Sequence, residues 1–563
     1  MLYRILFFLI FSQSFSQLKI DSIYDYKLIE LNNIGTVFNS HFPNFDFDII
    51  DVNYNIIGSR LVENYDYNLL YNNINIIPIS NITSNLSYIS SYNEGGLIMC
   101  NLQRPMSKKS FINFYYNNLS SKGFFQYQEN KFSNLGLEFY SFNQDTTYRF
   151  QFGFNSINGF YKENGGIQSY NSNLSNDLLS TYLNSATIEN QIRNFLFSHI
   201  FKINSKNSIR HTFKYNRYNR LYNDPNPTSF HYSMTPLSFE ILSYNRSNYF
   251  HDIENSLHFN SEFFFKKKID YSLIHRLYYN DLIVNKKYGD FIFSVSNLNN
   301  KLSKYNFSVS FCPIGYNKNN YDFRFYYKFD YNERIKNKFS ISLNKQKPNL
   351  FLENYDTGLS IDWENDFAPT NVFSINLETY LSKYNFDIKL NYKKISDLLY
   401  YNNIAAPVQF NESIRYLHFH LKKDWFLNRL RINHNIHFQK VKHNDSNFDI
   451  IPIPVFLLNQ KVTYDFSLFK KIDFSSSFDL TLFSKYYANS YMPINGVFYN
   501  QNELKIGGRP LLQASLFMKK KNFNIGVLVE NIHSLFFDEL YIIPDYIYNN
   551  LVFRLSLDWR FLD

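Results

Sequence analysis

From Tyr321 to Tyr331 the chain alternates with a period of two. Tyr321, Phe323, Phe325, Tyr327, Phe329 and Tyr331 are aromatic, and between them stand Asp322, Arg324, Tyr326, Lys328 and Asp330. Successive strand side chains point to opposite faces, so the extended segment has one aromatic face and one largely charged face. The same pattern returns at Leu551 to Leu562, at Tyr148 to Phe154 and at Leu430 to Phe438. A helix would scatter these apolar residues around its axis, so the period predicts strands. Such segments run about 8 to 12 residues, the length a tilted strand needs to cross a bilayer. A soluble sandwich could alternate in the same way. Three features oppose it: the apolar face is dominated by rings, the polar face carries both signs of charge, and no helical segments intervene.

The joints predict a topology. Short basic turns fall at Lys266-Lys267-Lys268, Ser382-Lys383, Lys422 to Asn428, Lys470-Lys471 and Lys519 to Asn522. Long polar stretches fall at Lys345 to Thr370, Lys440 to Leu458, Ala488 to Pro510 and Asn531 to Asn550. Short and long alternate over the carboxy-terminal half, as periplasmic turns and external loops do. The expected fold is all-β: a transmembrane antiparallel up-and-down β-barrel of about 20 strands, within roughly 18 to 22. The first strand is expected near Lys109, with one more hairpin if Asn85 to Arg104 turns at Asn93-Glu94-Gly95-Gly96. Residues 85–563 would form the barrel. The less regular segment 17–84 would be a periplasmic extension, an inward-folded plug or early strands.

Composition narrows the class. Of 563 residues, 20% are aromatic and 19% charged, the latter below the ~25% of an ordinary globular domain. A disordered chain would lack the rings, and a helical membrane protein would show apolar runs of about 20 residues. The net charge of +9 is small and scattered, and predicts no nucleic-acid partner. Arg4, the apolar Ile5 to Phe11 and the small Ser14 and Ser16 predict a signal peptide over residues 1–16, hence export. Cys100 and Cys312 are expected to be isolated thiols.

The carboxy-terminal third carries Tyr486 to Tyr499 (YYANSYMPINGVFY), Leu540 to Pro544 (LYIIP) and the ending Trp559-Arg560-Phe561-Leu562-Asp563. Upstream stand Asp449 to Pro454 (DIIPIP), Trp363 to Phe367 (WENDF) and Asn164 to Ile167 (NGGI). In this order they resemble the putative porin family of Bacteroidota outer membranes, over roughly residues 85–563. Leu562 stands where that family would have a second Phe. The resemblance implies an outer-membrane barrel better than it implies a substrate. In its light Trp559 and Phe561 are expected to form the terminal signal read by the barrel-assembly machinery. The loops bearing YMP and DIIPIP are expected outside the membrane, packed on one another rather than folded in as a constriction.

No catalytic, cofactor-binding or metal residues are expected, and no enzyme. GxSxG, HExxH, P-loop and dinucleotide fingerprints are all missing. His418, His420, His434, His437 and His443 are the densest histidine cluster, read as polar wall rather than metal ligands. Asp322, Arg324, Lys328, Asp330, Arg429 and Arg431 are the candidate pore-lining residues. The functional expectation is a porin of the outer membrane that passes small hydrophilic solutes passively, in contact with outer-membrane lipid and lipopolysaccharide. The alternative is a closed or plugged barrel whose loops bind partners or lipopolysaccharide. A TonB-coupled receptor is disfavoured, because about 70 residues before the barrel are few for a plug and coupling box.

Overall fold

The computed structural model describes residues 83–561, apart from 91–94, 172–173, 176–177, 227–243, 262–267, 281–286, 298–303, 333, 349, 356–362, 444–449 and 469–471. The signal peptide, nearly all of segment 17–84 and the basic turns at Lys266-Lys267 and Lys470-Lys471 lie outside the described residues. Within the described part, twenty-two antiparallel strands form one sheet. The ring closes where Thr83–Ser90 pairs with Gly95–Ser107 on one side and with Val552–Phe561 on the other. The structure is thus an up-and-down barrel at the upper end of the expected count. The extra hairpin is the one turning before Gly95, with Ser90 opposite Gly96. Counted round the ring from Thr83–Ser90, the fifth to seventh strands are Tyr148–Lys162, Thr187–Lys202 and Ser208–Asp224. The twelfth and thirteenth are Tyr321–Asn332 and Ile335–Gln346. The fifteenth to seventeenth are Phe386–Tyr401, Pro407–Leu427 and Leu430–Lys442.

The two ends differ as the joints predict. At one end the connections shrink to two residues at 108–109, 428–429 and 521–522. At the other end lie 163–186, 347–369, 484–510 and 531–551. The turn expected from Lys422 is shorter than the sequence suggested. The strand runs on to Leu427, and Asn428 reverses it in a left-handed conformation (φ 56°), which Asn tolerates.

Alternation becomes inside and outside. Phe291, Phe293, Val309, Phe311, Leu417, Phe438, Phe553 and Leu555 are exposed, all on one face of their strands. On the other face Asp290, Asn306, His418, Gln439 and Arg554 are buried. A closed ring crowds its inner side chains and spreads its outer ones, so the apolar face is the outer one. This arrangement suits a bilayer, where a cation on the lipid face costs about 2–4 kcal/mol at the midplane. Cys100 and Cys312 are both free, the first half-buried and the second fully buried. The inner wall is close-packed. At Gly136 an added Cβ would stand 1.9 Å from Cζ of the Tyr115 ring, so only glycine fits there.

Candidate functional site

The inner wall carries charges in pairs set by strand register. Lys214 lies directly opposite Glu254, Lys338 opposite Glu378 and Lys461 opposite Asp479, and the three pairs close at 2.9, 3.2 and 3.5 Å. Others are diagonal. Arg276 holds Asp252 at 2.7 Å, and Arg554 holds Glu530 at 2.8 Å. Opposite charges on neighbouring strands stabilise the sheet and leave little net charge on the wall.

Three of the six residues singled out from the sequence sit in this scheme of pairs. Asp322 and Arg324 share a face near the long-loop end and bond to each other at 3.0 Å, and Asn344 also donates to Asp322. Arg431 lies at the short-turn end of its strand, paired with Asp465 at 3.1 Å. Lys328 and Asp330 follow Arg324 on the same strand face, with Asp330 exposed and opposite Lys336. Arg429 departs from the expected wall position. It is an exposed residue of the turn at 428–429, because the chain reverses at Asn428. The twelfth and seventeenth strands are separated round the ring, so these residues do not converge on one site. What the sequence hid was the partner on another strand: Asp465 beside Arg431, and Asn344 beside Asp322, are found only once register is known.

Three of the five histidines meet on the inner wall. His418, His420 and His437 are buried, and His418 Nε2 lies 3.1 Å from His437 Nδ1. The rings stack nearly parallel, His420 and His437 at 4.2 Å and 6°. Stacked rings do not converge on a point, and among the described residues no group of three or more His, Cys, Asp or Glu is placed to hold a metal ion.

The long loops form a cap. Ser490–Met492 and Val497–Tyr499 pair as a small hairpin, its turn closed by Gly496 N–H donating to the Met492 carbonyl at 2.9 Å. Met492, Ile494 and Val497 pack in one buried cluster with Tyr161, Ile188 and Tyr222 from the fifth to seventh strands, and with Ala405 beside the fifteenth. The fifteenth strand lies ten places from the fifth round a twenty-two-strand ring, so the hairpin bridges nearly opposite walls. Arg220, on the seventh strand, donates to the carbonyls of Pro493 and Ile494 at 2.5 and 2.7 Å. At its far end the hairpin is held by Asn500, whose N–H reaches the Tyr401 carbonyl and whose Nδ2 reaches the Ile450 carbonyl.

The other loops lock onto this bridge. Tyr546 donates to Glu163 at 2.9 Å, and Ile167 N–H donates to the Asp545 carbonyl at 2.7 Å. Gly166 (φ 93°) has no room for a Cβ beside Asp545. Tyr491 packs with Ile542, Ile543 and Tyr546. Trp363 donates its indole N–H to the Phe351 carbonyl and lies against the cluster of Met492. Gln439, on the seventeenth strand, donates to the Pro454 carbonyl. The YMP, LYIIP, NGGI, DIIPIP and WENDF segments thus belong to one assembly. The loops pack on one another, but the expectation that they do not fold in fails for the Ser490–Tyr499 hairpin, whose buried cluster joins distant strands across the mouth.

Burial acts on two groups of the cap. It raises the Asp545 carboxyl to about 6, with the nearby Glu503 carboxylate adding. It lowers His533 to about 4, and the N–H of Leu512 donates to His533 Nδ1 at 3.2 Å.

Comparison with solved structures finds barrels of the same fold at low identity. The ferric-catecholate import receptor Fiu from E. coli K12, in its closed form, superimposes with a TM-score of 0.59 at 10% identity, covering 86% of this chain and 82% of that one. A mutant of the ferric enterobactin receptor PfeA from Pseudomonas aeruginosa gives 0.61 at 11%, covering 85% and 80%. The siderophore receptor PirA from Acinetobacter baumannii gives 0.59 at 10%, covering 86% and 81%. At such identities the likeness shows the fold alone. No curated protein matches the chain. A family model does, across residues 11–563, and the chain belongs to the family it describes, "Putative porin".

Proposed function

We propose that this chain is an outer-membrane porin that lets small hydrophilic solutes diffuse passively through a polar lumen. The observation that carries this reading is the inner face. A ring of twenty-two strands lined by paired charges, amides and hydroxyls is wide enough to leave an aqueous path where side chains alone cannot fill it. Asp322, Arg324, Lys328, Asp330 and Arg431 are the lining residues in this reading, with Arg429 at the rim of the short-turn end. The short turns would face the periplasm and the cap the outside. Outer-membrane lipid and lipopolysaccharide would surround the aromatic outer face, and Trp559 and Phe561 would present the terminal strand to the assembly machinery. The chain acts as a transport barrel and not as an enzyme.

The cap supports a second reading, a closed barrel whose external loops bind partners or lipopolysaccharide, because it bridges nearly opposite walls. Single-channel recording of the folded protein in a planar bilayer separates the two. Steady conductance steps are the outcome expected of a porin. A heat-modifiable barrel that gives no steps would leave the closed reading standing.

A further inference from the structure

We propose that the hairpin Ser490–Tyr499 sets the size limit of the lumen, and that Arg220 is the residue that determines it by holding the hairpin tip across the mouth; this rests on the porin reading. Strand spacing and tilt give a ring of twenty-two strands a width of roughly 40 Å, so the wall by itself would exclude few small solutes. A crossing element must impose the limit. Among the described loops the hairpin meets that need, since its cluster joins side chains from the fifth, sixth and seventh strands to Ala405 beside the fifteenth.

Its attachments differ in kind at the two ends. Near the fifteenth strand Asn500 holds it by a main-chain bond to Tyr401. At the tip, the polar hold is the Arg220 guanidinium, 6% exposed, which satisfies two successive carbonyls. Those carbonyls lie at the turn, where no strand partner takes them. A planar guanidinium can serve two acceptors in fixed directions at once, which the point charge of a lysine cannot. Removing it leaves Pro493 and Ile494 with buried, unserved carbonyls, a cost that swinging the tip into water relieves. The apolar contacts of Met492 and Val497 are not directional and do not fix where the tip lies.

The test compares wild type with Arg220→Ala and Arg220→Lys, each verified as a heat-modifiable barrel. Readouts are single-channel conductance and the uptake limit of proteoliposomes for neutral oligosaccharides of increasing length. Arg220→Ala is expected to raise conductance at least twofold and admit longer sugars, and Arg220→Lys to fall between. A further variant, Arg220→Cys with Ile494→Cys in a Cys100→Ser background, is joined by a short bis-maleimide. Before joining it should behave as Arg220→Ala, and after joining it should return to the wild-type limit. Arg220→Ala with unchanged conductance and uptake limit overturns the proposal while leaving the porin reading intact. A silent wild type that Arg220→Ala opens overturns both, because the hairpin would then be a plug and not the size limit of a conducting lumen. Silence in wild type and every variant sinks the porin reading and this proposal with it.

Discussion

At single residues, two buried groups of the cap work against each other. Asp545 titrates near 6 in the folded cap against an ordinary 3.8, so its protonated form is the stabilising one. That contribution is whole below about pH 4 and gone once pH has risen past about 6. His533 has the opposite sign. Its neutral ring is the folded form, so its contribution is whole above about pH 6.5 and is lost as pH falls toward 4. Over about pH 4 to 6 the two slopes oppose, and the wild-type cap should change little with pH through this pair. Asp545→Asn suits the left-handed backbone there (φ 68°) and should expose the histidine's slope. The protection factor of residues 531–551 against hydrogen exchange, which divides out the pH dependence of the intrinsic rate, should then fall on acidification from pH 6.5 to 4. In His533→Asn the protection factor should fall instead as pH rises from 4 to 6. A flat profile in both variants would show that these groups do not carry the cap. Arg554 gives a residue-scale test in the wall. Its side chain is fully buried, bonds Glu530 and reaches the Ser90 carbonyl across the closing seam. Arg554→Ala should cost on the order of 3–5 kcal/mol, by leaving Glu530 without its cation. Urea unfolding followed by heat-modifiability measures it, and Arg554→Met with Glu530→Gln should recover part of the loss.

Single elements show what the sequence could and could not reveal. The strands were legible because their two faces meet different solvents, so each carries its pattern locally, as Tyr321–Asn332 does without reference to any neighbour. The short turns were legible for the same reason, to within the few residues by which Lys422 to Leu427 proved to be strand. The cap was not. Its cohesion joins residues far apart in the chain, such as Tyr546 with Glu163, and no periodicity records such a contact. The candidate wall residues lay between these cases: Asp322 and Arg324 are bonded two positions apart, whereas Arg431 finds Asp465 only through register. The terminal strand adds a prediction of its own. Trp559 and Phe561 lie on its outer face with rings 4.0 Å apart, Trp559 opposite Phe523 and Leu86 and Phe561 opposite Ser84 at the closing seam. If they form the assembly signal, Trp559→Ala with Phe561→Ala should lower the folded fraction in cells several-fold. The same protein refolded in detergent should still shift on heating. Equal losses in cells and in detergent would make them packing residues only.

For the molecule as a whole, the pairing of charges decides what kind of filter the lumen can be. A wall with isolated rings of one sign would select ions strongly. Here Lys214, Arg276, Arg324, Lys338, Arg431 and Lys461 each have a carboxylate partner within 3.5 Å. The field of each pair falls off faster than that of a lone charge, and salt screens the remainder over about 10 Å at 0.1 M. The wild-type lumen should therefore discriminate weakly between potassium and chloride, with a reversal potential near zero under a tenfold KCl gradient. Uncovering one partner should break the balance with a sign fixed in advance. Arg324→Gln or Arg431→Gln leaves Asp322 or Asp465 uncompensated and should move the reversal potential toward cation preference. Asp322→Asn or Asp465→Asn should move it toward anions, and the double variants Arg324→Gln with Asp322→Asn, or Arg431→Gln with Asp465→Asn, should return it near zero. Each shift should shrink as salt is raised from 0.1 to 1 M, because the Debye length falls to about 3 Å. Single variants that change conductance without moving the reversal potential would mean that permeating ions do not pass these pairs, and that the path runs along another part of the wall.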